Sequence, residues 1–239
     1  MKKLLCILFA TVSLFLGTIS VSAEQSTKDS LGADFITRLT FFGESTTTHL
    51  SQRSKVSRMQ VWANPSGTAR LDSTLANRPL QDPTNDRFLS PVELAEREQP
   101  EFIVLSFGLN GIMDFEKDTA DYLKKYQKLI DALSEVSPHT HFLIQSVYPV
   151  ADRSHQTDWR FSVSPSEINQ KIECLNSCMK QHCQTLSNAD FVDTSINLKD
   201  KNGFLRPSYT TDGIHLTEEA YHEILAQFCE YGKSLSISE

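Results

Sequence analysis

The feature that most constrains this chain is the run Phe-Ile-Val-Leu-Ser-Phe at residues 102–107, which is almost continuously apolar. A strand with one wetted face alternates apolar and polar residues. A run without a polar face needs cover on both sides, as in a parallel sheet sandwiched between helices. The flanking sequence fits that arrangement. Residues 37–42 read as a first strand, 56–62 as a second and 141–147 as a fourth, with Phe191 and Val192 in a short fifth. Helical patterns alternate with these strands. Leu123, Tyr126, Leu129, Ile130 and Leu133 share one helical face, predicting a helix over 119–136. Ser90-Pro91 is a helix start, an N-cap residue followed by proline at the first helical position. Residues 166–186 and 217–228 supply two more helices, and 63–89 reads as a long loop. Strands alternating with helices predict an α/β fold with helices on both faces of a parallel sheet, and such sheets bind ligands at the carboxyl ends of their strands.

The first residues follow other rules. Lys2 and Lys3 precede an apolar run over 4–16, and Val21-Ser22-Ala23 offers small residues for cleavage. This is the pattern of a signal peptide, with cleavage after Ala23 and export of the mature chain. The run is too short for a comfortable membrane span. Cys6 lies near the start of the run rather than after it, which argues against a lipid anchor. Residues 24–34 are polar and read as a disordered lead-in, leaving 35–239 as a single domain. A net charge of -7 supplies no basic face for nucleic acid.

Four groups near strand ends or the last loop carry residue types suited to acyl transfer. Gly43-Glu44-Ser45 ends the first strand, where a serine would sit near helix-terminal N–H groups that favour negative charge. Ser45 could equally be an N-cap. Gly67 could bring a backbone N–H close to a substrate oxygen. Gly108-Leu109-Asn110-Gly111 follows the buried strand and offers an amide donor. Asp212-Gly213-Ile214-His215 places a carboxylate three residues before a histidine, so that it can bond Nδ1–H and leave Nε2 free to take a proton. Together these groups contain a nucleophile, a base, an orienting carboxylate and oxyanion donors.

The set Gly43-Glu44-Ser45, Gly67, Gly108-Leu109-Asn110 and Asp212-Gly213-Ile214-His215 resembles the four blocks of the SGNH, or GDSL-like, hydrolase family. That resemblance implies a three-layer α/β/α sandwich, flavodoxin-like, with a parallel five-stranded sheet. It implies Ser45 as nucleophile, His215 as base and Asp212 as its partner, with Ser45 Oγ within hydrogen-bond reach of His215 Nε2. The Ser45 N–H, Gly67 N–H and Asn110 side chain would form the oxyanion hole, and no cofactor or metal is needed. Two positions depart from the family pattern: Glu44 stands where aspartate is usual, and Gly111 where aspartate often follows the asparagine. The expected activity is hydrolysis of carboxylic esters, O-acetyl or short acyl, on a polysaccharide or cell-wall glycan. Glycan acyltransfer through the same serine, or an inactive domain that binds glycan or protein, are the alternatives. Trp159 and Arg160 are candidate substrate contacts, and Trp159 could equally cap the core.

Export would place Cys174, Cys178, Cys183 and Cys229 in an oxidising setting. Helical spacing disfavours a Cys174–Cys178 disulfide, because i,i+4 neighbours stand too far apart. The pairing stays open. A zinc stripe of Cys174, Cys178 and His182 is the lesser alternative, since it lacks an evident fourth ligand.

Overall fold

The structure is a computed structural model that describes residues 30, 32–72, 80–85, 87–115, 118–152 and 161–235. The expected signal peptide and the contacts expected at Trp159 and Arg160 lie outside the described residues. Five strands form one parallel sheet: β1 (Leu39–Gly43), β2 (Val61–Ala63), β5 (Phe102–Ser106), β6 (His141–Gln145) and β7 (Ala189–Val192), in the order β2-β1-β5-β6-β7. The order reverses between β1 and β5, where a crevice opens at the carboxyl ends.

The apolar run works as expected because side chains alternate across the sheet. Ile103 and Leu105 face one core with Phe42, Trp62, Phe142 and Ile144. Val104 faces the other with Phe41, Val61 and Leu143. Helices α2 (Pro91–Glu98), α4 (Thr119–Val136) and α5 (Pro165–Cys183) cover the first face through Leu94, Leu129, Leu133, Ile172 and Leu175. Helices α1 (Ser45–Arg53) and α6 (Glu218–Leu235) cover the second through Leu50, Ile224 and Phe228. The result is the expected three-layer α/β/α sandwich.

Several boundaries differ from the sequence reading, each for a local reason. Residues 32–37 are helical and bury Phe35, so order begins inside the expected lead-in and β1 starts at Leu39. The second strand shrinks to three residues because a capping box between Ser57 and Gln60 folds Arg58–Gln60 into a 3₁₀ turn. The long loop contains a small antiparallel pair, β3 (Leu80–Gln81) with β4 (Phe88–Leu89), outside the main sheet. Helix α2 begins at Ser90-Pro91 as expected; Ser90 Oγ accepts from Glu93 N at 3.2 Å and Glu93 accepts from Ser90 N at 2.8 Å. A short helix, α3 (Ile112–Phe115), follows the turn after β5.

Among the described residues Cys174, Cys178, Cys183 and Cys229 form no disulfide with one another. Cys174, Cys178 and Cys183 share α5, while Cys229 lies on α6 across the sheet, so the fold itself keeps Cys229 apart from the others. Burial pushes the Cys183 thiol up to about 12, with Asp190 adding to the effect. Among the described residues no three metal-type side chains cluster.

Candidate active site

Ser45 is the first residue of α1, and the N-cap is Glu44. The serine hydroxyl therefore does not cap the helix, and its N–H belongs to the first turn, where helical amides lack intrahelical partners and the dipole favours negative charge. Glu44 makes no side-chain cap bond because its carboxylate points elsewhere. Its Oε1 accepts from Gly108 N and its Oε2 from Asn110 N, both at 3.0 Å. One buried side chain thus ties the serine turn to the turn after β5. Gly108 is required there by close approach, since an added Cβ would lie 2.3 Å from Val147. Burial pushes the Glu44 carboxyl up to about 7, against the opposing pull of the Gly108 and Asn110 amides and of Arg70.

Asn110 sits in a 3₁₀ turn over Leu109–Gly111. Its Nδ2 donates to Ala69 O at 3.1 Å, which leaves a second amide hydrogen. Arg70 donates to Asn110 O at 3.0 Å and also to the carboxylates of Asp72 and Asp114. Arg70 was not singled out from sequence, because it lies in a loop without periodicity.

Gly67 lies directly against Ser45. An added Cβ would stand 3.0 Å from Ser45 Cβ and 3.2 Å from Ser45 Cα, and its φ of +67° suits glycine. Its N–H, however, donates to Asn64 O at 2.9 Å. That bond closes the turn over residues 64–67, so the expected free oxyanion donor is committed and a substrate oxygen would have to share it.

The turn carrying His215 organises itself. Asp212 Oδ1 accepts from Ile214 N at 2.9 Å and His215 N at 2.7 Å, while Oδ2 meets His215 Nδ1 at 2.6 Å. Partial burial would raise the Asp212 pKa, but these bonds outweigh it and hold the carboxyl down at about 2. An ionised Asp212 keeps the proton on Nδ1 and leaves Nε2 as acceptor. Longer-range bonds place this turn beside α1. Arg53 Nη1 donates to Leu216 O at 2.5 Å, Tyr221 OH donates to Thr46 O at 2.8 Å, and Ala151 N donates to Gly213 O at 2.9 Å. Asn169 of α5 holds Val150, next to Ala151, by both backbone groups.

Ser45, Gly67, Asn110 and His215 line one open cleft of about 480 Å³, with Phe161 at its wall. Asp212 stands behind His215. Among the described residues Ser45 Oγ makes no hydrogen bond, so the expected bond to His215 Nε2 is not formed here; catalytic bonds often tighten only around substrate. The sequence reading missed Phe161 and His49. The latter lies one turn after Ser45 on α1, with its ring centroid 5.1 Å from that of His215. Helical spacing from Ser45 was the available signal.

The sequence profile of the GDSL-like Lipase/Acylhydrolase family matches residues 41–222. The chain belongs to that family, and it is a carboxylic ester hydrolase. Three solved structures share its fold. A Streptococcus pneumonia protein named for platelet activating factor is 17% identical with a TM-score of 0.61, over 90% of this chain and 99% of its own. A GDSL-like lipase from Bacteroides thetaiotaomicron is 19% identical with a TM-score of 0.53, over 82% and 88%. The acetyl xylan esterase AlAXEase is 15% identical with a TM-score of 0.51, over 81% and 98%. No curated protein sequence matches the chain.

Proposed function

We propose that this chain is an exported esterase that removes O-acetyl or short acyl groups from a polysaccharide or cell-wall glycan, with Ser45 as nucleophile. The observation that carries this reading is the meeting of Ser45, at the start of α1, with the Asp212–His215 pair in one cleft at the sheet's switch point. His215 Nε2 takes the Ser45 Oγ proton as Oγ attacks the ester carbonyl carbon. The resulting oxyanion faces the Ser45 N–H and the Asn110 side-chain amide, with the Gly67 N–H as a shared third donor. His215 then gives the proton to the departing alcohol oxygen, leaving an acyl-serine. Water attacks that ester with His215 again as base, and the carboxylate leaves.

The substrate class rests on two supports. The cleft's lining is about evenly polar and apolar, and Thr48, His49, Arg70 and Asn110 around Ser45 and His215 offer polar groups that suit a small acyl group on a hydroxyl-bearing alcohol. The fold is also shared with an acetyl xylan esterase. Export rests on Lys2, Lys3, the apolar run over 4–16 and the small residues ending at Ala23. Trp159 and Arg160 precede Phe161 and remain candidates for contacting the glycan.

The test is hydrolysis of p-nitrophenyl acetate, a long-chain p-nitrophenyl ester and acetylated xylan, beside Ser45→Ala. The expected result is acetate release that disappears in Ser45→Ala, with the acetyl esters preferred. Activity that survives Ser45→Ala would remove the serine mechanism, and a preference for the long chain would remove the substrate class.

A further inference from the structure

His49 has no part in the steps above, yet its ring lines the same cleft as Ser45. It stands edge-to-face against His215, with an interplanar angle of 68°. The two ring nitrogens differ. Nδ1 is shut off from solvent and has no hydrogen-bond partner among the described residues, whereas Nε2 is not closed off in this way. A neutral imidazole carries one proton, and leaving an N–H buried without an acceptor is costly. The favoured tautomer therefore keeps its proton on Nε2, as an outward donor. Burial, with Arg53 and His215 beside it and Asp212 opposing, holds His49 below its ordinary pKa, so at neutral pH it acts as a neutral donor rather than a cation.

Its position decides what it can touch. The oxyanion donors, Ser45 N–H and Asn110, define one side of the reacting carbonyl. His215 must face the departing alcohol oxygen, because it returns the proton there. A group packed on His215 and lining the same cleft stands on the alcohol side. We propose that His49 is a specificity residue for the leaving alcohol, donating from Nε2 to a hydroxyl on the carbon next to the ester and so favouring polyol and sugar esters over esters of plain alkanols. This rests on the ester-hydrolase reading of Ser45 and His215. It goes beyond that reading by assigning the choice of alcohol to one side chain.

The experiment compares glycerol 1-acetate with propyl acetate, two acetyl esters of three-carbon alcohols that differ in the hydroxyls of the alcohol. The readout is the ratio of their kcat/KM values in wild type, His49→Phe and His49→Gln. Wild type should prefer the glycerol ester. Phe keeps a ring against His215 but has no donor, and should lower the ratio about 5–10-fold, the worth of one neutral hydrogen bond. Gln restores a donor and should return the ratio to within about threefold of wild type. A residue that merely supports His215 would lower both rates and leave the ratio fixed, which would overturn the proposal. A wild-type enzyme with no preference would overturn it whether or not the variants fold. Wild-type turnover of neither ester, or turnover that persists in Ser45→Ala, would instead overturn the esterase reading and the role of His49 with it.

Discussion

Glu44 and Asp212 each accept two backbone N–H bonds in the same site, yet their surroundings drive them in opposite directions. Glu44 is 5% exposed, has no ion-pair partner in contact among the described residues, and is pushed up to about 7. The Asp212 side chain is 34% exposed, touches the His215 ring and is held at about 2. Amide donors favour a carboxylate in both places, so they do not explain the difference. Desolvation wins at Glu44; at the less buried Asp212 the bond to the imidazole adds to the amides and tips the balance the other way. In the proposed mechanism one carboxylate acts through its charge, by fixing the tautomer of the base. The other acts through its reach, by joining the serine turn to the asparagine turn, and its charge costs stability.

The comparison predicts a hierarchy of effects. Asp212→Asn should cost the most, about 10⁴ in kcat, because the amide cannot hold the Nδ1–H tautomer. A loss below about tenfold in a folded variant would show that Asp212 is a turn residue only. Asn110→Ala should follow, lowering kcat by about 10²–10³ with little change in KM, as expected for a donor to developing charge. Steady-state kinetics on p-nitrophenyl acetate checks both, and a near-wild-type kcat for Asn110→Ala would move the oxyanion hole elsewhere.

Glu44→Gln should be read through stability. The folded pKa of Glu44 is raised from 4.5 to about 7. Its contribution is therefore fully present below pH 4.5 and is lost as pH rises through 7. Urea unfolding at pH 4.5 and pH 8 should show wild type losing about 3 kcal/mol relative to Glu44→Gln over that interval. A pH-independent difference would mean that Glu44 carries no raised pKa. A kcat loss matching that of Asp212→Asn would break the distinction between the two carboxylates.

The smallest effect belongs to Gly67→Ala. Its methyl would meet Ser45 itself, and its φ disfavours alanine. We expect roughly a tenfold loss from strain of about 1–2 kcal/mol, falling equally on acetyl and butyryl esters. A loss confined to the butyryl ester would place the methyl in substrate space instead.

How legible each part was depended on the range of its interactions. The bounds of α4, the start of α2 and the two-faced burial of β5 follow from periodicity and capping within a few residues, and the structure agrees with them. The Asp212–His215 turn is likewise local, so the spacing implied its hydrogen bond. Apolar content over 56–62 suggests a longer second strand because it does not reveal the Ser57–Gln60 capping box that curls its first half. Gly67 lies against Ser45, but the destination of its N–H is not written in any residue type.

The sequence by itself determined the α/β/α class, the residue types needed for acyl transfer and their order along the chain, because these rest on hydrogen-bond patterns and apolar spacing within single elements. Only the tertiary structure decided that Glu44 bonds residues more than sixty positions away, that Arg70 fastens the Asn110 turn, and that His49 meets His215 across almost the whole domain. Desolvation and contact between distant segments depend on which surfaces the sheet brings together, and the local pattern of a chain does not encode that distance.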